Sequence, residues 1–407
     1  MDILPIFSTL RRHKITALLL VLEIALTCAI VCNAVFLISQ RLQRTEMASG
    51  VAEHELLQVQ VANIGKPANG KSRAQEDLAL LRQVPGVTAA ALVNQVPFTN
   101  SSSNTSIKLD PAQKLPTLNA TMYMGEGLIA SFGARLVAGR DFTADEYLDY
   151  DDMRSNPELQ NKVGSVVITQ ALGERLWPGQ SALGRNIYMG DTSVRVIGVV
   201  QSLIRPSLFM GDDAAQWTMV FPLRLSAASA SRYVLRTAPD QRQQVLSEAA
   251  KVLRKADPHR IVLKKDTLDD IRGAFFQNDR AMAGILVGVI AALLIVTALG
   301  IVGLASFWVA QRRRTIGVRR ALGATRRNIL NYFQTENFLL ATIGIVLGMV
   351  LAYGINLFLM TRYELPRLPG MYFPMGAIAL WLIGQLAVLG PALRAAAVPP
   401  VVATRSV

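Results

Sequence analysis

Hydrophobic positions fall along the chain in two regimes. Four runs, Ile15 to Ser39, Ala281 to Ala310, Phe338 to Met360 and Met371 to Leu393, are free or nearly free of charge. Each reaches the roughly 20 residues a helix needs to cross about 30 Å of hydrocarbon, so all four read as spans. The long stretch between the first two alternates instead. Glu55 to Ile64 (ELLQVQVANI) has the period of two of a strand, Ser72 to Gln83 has helical apolar spacing, and Pro85-Gly86 ends it before a strand at Val87 to Val93. A related order returns late, with strand at Ser231 to Arg236, amphipathic helix at Gln241 to Lys255 and strand at Arg260 to Lys264. Between these β-α-β halves lie further strands at Val163 to Ile168 and Val194 to Val200, with turn residues at Gly190-Asp191. The acidic, tyrosine-bearing segment Ala144 to Gln160 reads as an exposed loop.

The fold class is therefore an α+β membrane protein: four transmembrane helices, with a large extracytoplasmic α/β domain between the first and second. That domain is expected as a split β-α-β subdomain at about 51–125 and 231–268, an inserted β-rich subdomain at about 126–230 and a stalk at about 269–282. The remaining plan is a cytoplasmic segment at 1–14, spans at 15–39, 283–310, 337–360 and 371–393, a coupling segment at 311–336, a short outer loop at 361–370 and a cytoplasmic tail at 394–407, with the outer domain at 40–280.

Composition agrees with a part-membrane chain. Hydrophobic residues make up 51% and charged residues 17%, against about 25% charged in soluble proteins. Cys28 and Cys32, the only cysteines, both lie in the first run, so no disulfide framework staples the outer domain. That run follows Arg11, Arg12 and Lys14 but exceeds the roughly 7 to 15 residues of a signal core and lacks an A-x-A site, which favours an uncleaved anchor.

Charge gives the orientation. Gln311 to Glu336 holds Arg312, Arg313, Arg314, Arg319, Arg320, Arg326 and Arg327 against Glu336 alone, whereas the loop Thr361 to Tyr372 has Arg362 and Arg367 against Glu364. Positive-inside bias puts both termini and the arginine-rich segment in the cytoplasm. Of the formal net charge of +13, only +3 belongs to residues 40–280, with 28 basic and 25 acidic side chains. The excess marks topology and not a nucleic-acid surface.

Signatures of chemistry are sparse. His13, His54 and His259 are far apart, and neither H-E-x-x-H nor G-x-S-x-G occurs. Asp149, Asp151 and Asp152 lack the glycine and ligand spacing of an EF-hand. Gly65 to Ser72 (GKPANGKS) fits G-x-x-x-x-G-K-[ST], in which Lys71 and Ser72 would serve phosphate and magnesium. Pro67 removes one N–H such a nest uses, and the loop falls on the side away from ATP, so the match reads as a decoy. Glu23 stands about 12 Å into the first span, where an ionised carboxylate is costly; it is expected to face protein as a packing residue, with no second intramembrane acid beside it. Gly284/Gly288 and Gly344/Gly348 have the G-x-x-x-G spacing of close helix packing.

After the second span stands RRRTIGVRRALGA (Arg312 to Ala324), followed by TRRNIL. This resembles the cytoplasmic segment of the MacB/FtsX-type ABC transporter permeases, an acidic residue followed by I-G-V-R-R-A-L-G-A, with Thr315 here in place of the acid. VPGV at 84–87, VAGRDFTADE at 137–146, VVITQALGERLWPGQSALGRNIYMGD at 166–191 and VRVIGVVQ at 194–201 resemble the MacB periplasmic core domain in the family's order. The carboxyl end departs: PALRA at 391–395 fits, but 399–407 lacks the acidic D-P-x-E-A-L-R continuation.

The resemblance implies a non-enzymatic permease subunit of the bacterial inner membrane with no cofactor of its own. ATP-Mg would be used by a separate cytoplasmic ABC ATPase, and closure of that ATPase would be transmitted to the outer domain, in efflux or export. Implied partners are that ATPase, a second copy or a related permease in a dimer, membrane lipids, and a periplasmic adaptor with an outer-membrane channel. The alternative within the family is an FtsX-like signal transmitter that regulates a periplasmic enzyme without transport. The coupling residues it implies are Ile316, Gly317, Val318, Arg319, Arg320, Leu322 and Gly323. From the residues alone, Ile316, Val318, Leu322 and Ile329 are apolar contacts for the ATPase, the arginines meet acids or lipid phosphate, and Gly317 and Gly323 allow a break between span and docking helix.

Overall fold

The computed structural model describes residues 14–63, 69–227, 230–363 and 368–399. Residues 1–13 of the expected cytoplasmic segment, Gly65 to Ala68 of the phosphate-loop match, residues 364–367 of the expected outer loop and the tail from residue 400 lie outside the described residues.

The chain divides into two compact units, one of residues 1–45 and 278–407, the other of residues 46–277. The first unit opens with α1 (Lys14–Thr45), six residues longer than the apolar run at its carboxyl end because Gln40 to Thr45 (QRLQRT) continue the helix for a mostly polar turn and a half. The second unit begins with β1 (Leu56–Asn63), α2 (Gly70–Arg82) and β2 (Val87–Val93). Nine short strands follow: β3 (Asn104–Ile107), β4 (Leu118–Met124), β5 (Leu136–Gly139), β6 (Leu148–Asp149), β7 (Ser165–Thr169), β8 (Asn186–Met189), β9 (Thr192–Val200), β10 (Thr218–Phe221) and β11 (Leu223–Arg224). The unit ends with β12 (Ala230–Thr237), α3 (Arg242–Ala256), β13 (Arg260–Thr267) and α4 (Leu268–Phe275).

The two β-α-β halves share one sheet of order β13-β1-β12-β2. β12 runs antiparallel between β1 and β2, and β1 antiparallel between β12 and β13. Each half thus admits a strand of the other, the split β-α-β arrangement. Alternation decides what each face covers. Leu57, Val59, Val61, Tyr233 and Leu235 point to the face where Leu78 and Leu81 of α2 and Val245, Ala249 and Leu253 of α3 pack. Leu56, Ala91, Val93 and Val234 point to the opposite face, buried under Phe132, Val200, Leu203 and Phe276.

The inserted subdomain is a seven-stranded sheet, β3-β4-β10-β7-β9-β5 with β8 paired to β9. Its tight β8–β9 hairpin turns at Gly190, which has φ +60°. Two expectations are corrected here. The insert begins before residue 104, not near 126, because β4 pairs parallel with β10 and draws the β3–β4 hairpin into the second sheet. The acidic segment 144–160 is also not a plain loop: it contains β6, paired to β11, and short helices at Tyr150–Ser155 and Pro157–Gln160.

The first unit resumes with α5 (Gln277–Gln311), α6 (Arg313–Ala321), α7 (Arg326–Tyr363) and α8 (Tyr372–Ala396). Of these, α5, α7 and α8, with α1, are long and apolar enough to cross a membrane. The expected stalk is not one rod: the helix breaks at Phe276, whose buried ring sits against Phe98 and Phe275, so α4 belongs to the globular unit and α5 starts afresh. Within the helical unit α1 packs along α7. A Cβ built on Gly344 would lie 2.8 Å from Ile24 Cβ, and one on Gly348 2.5 Å from Cys28 Cβ, so this glycine pair serves packing inside the chain. Gly284 and Gly288 of α5 meet nothing within 4 Å.

Candidate coupling site

The arginine-rich segment folds as a short helix between two long ones. Arg312 ends the run of α5 with φ −100° and ψ 9°, and α6 starts at the next residue. The helix closes at Gly323, whose φ of +96° suits a residue without Cβ; its N–H bonds Arg320 O (3.2 Å), and the Ala324 N–H bonds Arg319 O (3.0 Å). The break between α5 and α6 thus falls at Arg312. Gly323 ends α6, while Gly317 is a buried position within it.

The register of α6 sorts the implied coupling residues into two sets. Ile316 is 4% exposed and packs with Val309, Ile329, Phe333, Ala392, Ala395 and Ala396. Ile316 and Ile329 are therefore internal anchors, which corrects their assignment as apolar contacts for a partner. Val318 and Leu322 face outward, at 45% and 84% exposure. Arg319 lies over the Tyr332 ring at 5.0 Å, and Arg320 folds back onto Ala324 O at 3.4 Å. Arg313, Arg314, Arg326 and Arg327 are exposed, and no ion pair engages them among the described residues.

The acid of the segment is spent internally. Glu336, 1% exposed on α7, accepts from Arg312 Nη1 through both oxygens, at 2.9 and 3.1 Å. Arg312 also lies over the Trp308 ring, 5.7 Å from its centroid. Trp308, Glu336 and Asn337 line a small cavity with Leu20, Ile301 and Val388. The indole N–H of Trp308 and the amide nitrogen of Asn337 have no protein partner there. Sequence reading missed this clamp, although the signal was present in a single acid among seven arginines.

Glu23 of α1 is half-buried and faces protein: a Cβ on Gly300 of α5 would stand 2.6 Å from its Oε2. Thr27 and Thr297 join the same two helices at 2.9 Å. A second acid of the helical unit, Glu336, is buried on α7 with Arg312.

In the globular unit, Lys71 of the phosphate-loop match stands in the first turn of α2, 2.5 Å from Asp152 and 3.3 Å from Asp149. Ser226 donates to Asp151. The lysine and two of the three aspartates, each conspicuous in the sequence, pair with one another across the fold.

Two family models match the chain. The MacB-like periplasmic core domain model matches residues 15–252, and the FtsX-like permease C-terminal model matches 287–400. The uncharacterized ABC transporter permease YvrN of Bacillus subtilis (strain 168) is 27% identical over 329 residues, covering 74% of this chain and 77% of its own. The macrolide export ATP-binding/permease protein MacB of Acinetobacter baylyi is 26% identical over 411 residues, 97% of this chain but 58% of that protein. Pyoverdine export ATP-binding/permease protein PvdT of Pseudomonas entomophila is 30% identical over 60% of the chain and 37% of its own length. Among solved structures, the periplasmic region of MacB from Actinobacillus actinomycetemcomitans aligns over 56% of this chain and 95% of its own at 15% identity, with a TM-score of 0.33. The extracellular domain of YknZ aligns over 51% and 100% at 16% identity, with a TM-score of 0.31.

Proposed function

Because the chain belongs to the MacB/FtsX-type ABC transporter permeases, we propose that it is the permease half of an ATP-driven machine whose motor is a separate cytoplasmic subunit. Relatives named ATP-binding/permease proteins are longer than this chain, which spans 58% of the A. baylyi MacB. YvrN, which the chain matches over 77% of that protein's length, is named a permease alone. ATP-Mg is then bound by the partner, and export is the direction favoured by the relatives named for macrolide and pyoverdine export.

The observation that carries this reading is the construction of α6. Its inner face is fixed by Ile316 and by the Arg312–Glu336 clamp, and its outer face offers Val318 and Leu322 among unpaired arginines. An apolar knob ringed by guanidinium groups suits a groove with an acidic rim on a partner protein. Force applied to α6 passes through the clamp into α5 and α7 rather than being lost in a loose loop. A second copy of the chain, or a related permease, would give the motor two such helices to close upon.

The test is reconstitution with the copurified ATPase. Leu322→Asp together with Arg326→Glu is expected to leave insertion in the membrane unchanged while abolishing stimulation of ATP hydrolysis by the permease. Undiminished stimulation would overturn the assignment. Mass identification of the copurifying chains separates export from signalling: an adaptor supports the first, a periplasmic hydrolase the second.

A further inference from the structure

Two buried N–H donors of the helical unit lack an acceptor. Trp308 of α5 and Asn337 of α7 are each 4% exposed, and neither the indole Nε1 nor the amide Nδ2 has a hydrogen-bond partner among the described residues. Both residues line one cavity of about 10 Å³, whose apolar walls include Leu20 of α1, Ile301 of α5, Phe333 of α7 and Val388 of α8. A donor withdrawn from water and left unpaired costs the fold its full desolvation, so folded interiors keep few of them. Here two meet at one small space.

The lining narrows what can fill it. The occupant has to accept from N–H groups, which excludes a cation. The Glu336 carboxylate, 1% exposed, lines the same cavity and already accepts from Arg312 at 2.9 and 3.1 Å. A second anion beside it at low dielectric would be repelled. The volume is that of about one water-sized sphere, too small for a lipid chain or a larger polar molecule. The lining residues carry no hydroxyl that could rotate in as acceptor. Nor does α8 supply a side chain beside the amide: residue 384 is glycine, and a Cβ there would already stand 3.2 Å from Asn337 Nδ2.

We propose that this cavity is a binding site for one internal water, which accepts from Trp308 Nε1 and Asn337 Nδ2 and donates to the Glu336 carboxylate. Each oxygen of that carboxylate keeps a further lone pair beside the one given to Arg312. Trp308, Asn337 and Glu336 together give the water a set of partners within the range of about 2–4 that buried waters use. The water links α5 to α7 without the guanidinium and gives Glu336 a second hold besides Arg312.

X-ray radiolysis of the full chain in nanodiscs tests it, because a water bound in place releases hydroxyl radical beside the side chains around it. Mass spectrometry locates the oxidation. Phe333 lines the cavity and Phe36 of α1 does not, yet their exposures are 4% and 5%, so like rings at like burial are compared. Trp308 and Phe333 are expected to be oxidised and Phe36 to stay unmodified. Asn337→Leu removes one donor and fills the space, and should bring Phe333 down to the level of Phe36. Trp308→Phe removes the other donor and should do the same. Phe333 no more oxidised than Phe36 in the native chain would show a dry cavity and overturn the site. Undiminished oxidation of Phe333 in both variants would overturn it too, since the radicals would then arrive from outside and not from a water held by these groups. Oxidation of Phe36 marks a variant that has lost its fold, and the native chain with the other variant then decides.

Discussion

Arg260 and Asp77 form a two-point ion pair wholly withdrawn from solvent, Nη1 to Oδ1 at 2.8 Å and Nη2 to Oδ2 at 2.9 Å. The Tyr233 hydroxyl donates to the same carboxylate at 2.5 Å, and Arg260 also donates to Leu253 O at 3.2 Å and Asn63 Oδ1 at 3.3 Å. The pair ties α2 to β13, and Tyr233 adds β12. Burial beside this carboxylate pushes the Tyr233 phenol well up, so it remains a donor throughout the accessible pH range.

Asp77→Ala strands a buried guanidinium, and stability of the globular unit is expected to fall by about 3–5 kcal/mol. Asp77→Ala with Arg260→Met should recover much of that loss, since the unpaired charge goes with it. Denaturant titration followed by the fluorescence of Trp177 and Trp217 measures both. Equal losses in the single and double variants would contradict the account.

The two glycine pairs should behave oppositely. Valine at Gly348 places Cβ 2.6 Å from Ala25 O and is expected to lower the thermal midpoint in detergent, at a cost of about 1–3 kcal/mol or more. Valine at Gly288 meets open space within the chain and should leave the midpoint of the monomer unchanged.

Removing the clamp should separate coupling from docking. Glu336→Ala leaves the part-buried Arg312 without its carboxylate and is expected to cost about 1–3 kcal/mol locally. ATPase still binds, because Val318 and Leu322 are untouched, but its stimulation by the permease is lost. Restored stimulation in Arg312→Glu with Glu336→Arg would show that the link, not either side chain alone, carries the effect. Pull-down and ATP hydrolysis in the reconstituted complex read the two steps.

A pH effect is expected at the Thr143 capping box. Glu146 accepts from Arg140 at 2.6 and 3.0 Å and from the Thr143 N–H at 2.8 Å, which holds its carboxyl down at about 2. A carboxylate depressed in the folded state stabilises above its unfolded value near 4.5, and that contribution is lost as pH falls from there toward 2. The site is solvent-exposed, so the loss is at most about 1 kcal/mol. Arg140→Ala should move the Glu146 midpoint up toward 4.5, followed by its side-chain carbon resonance with Glu146→Gln as the assignment control.

Much of the architecture was legible because it is written locally. Four uninterrupted apolar runs report helices long enough to span, and alternation at β1, β2, β12 and β13 located the strands of the first sheet. What failed was non-local. The short β3 carries the sequence NTSI, with hardly any apolar alternation, and its sheet is fixed only by the pairing of β4 with β10, almost a hundred residues later. Neither proline nor glycine stands at Phe276 to announce the break, which goes with its packing on Phe98. At the coupling site the order I-G-V-R-R-A-L-G-A pointed to the right helix. Which of its residues turn inward depended on the alanines of α8, a helix the segment itself says nothing about.

The interleaving of β1, β12, β2 and β13 has a consequence for biosynthesis. The second strand in the sheet order, β1, cannot acquire either neighbour until the polypeptide has been made past residue 230, so its amphipathic edges wait through the emergence of some 170 intervening residues. Closure of this sheet is thus an event of late translation, and a nascent chain truncated inside the insert is a natural client for holdase chaperones.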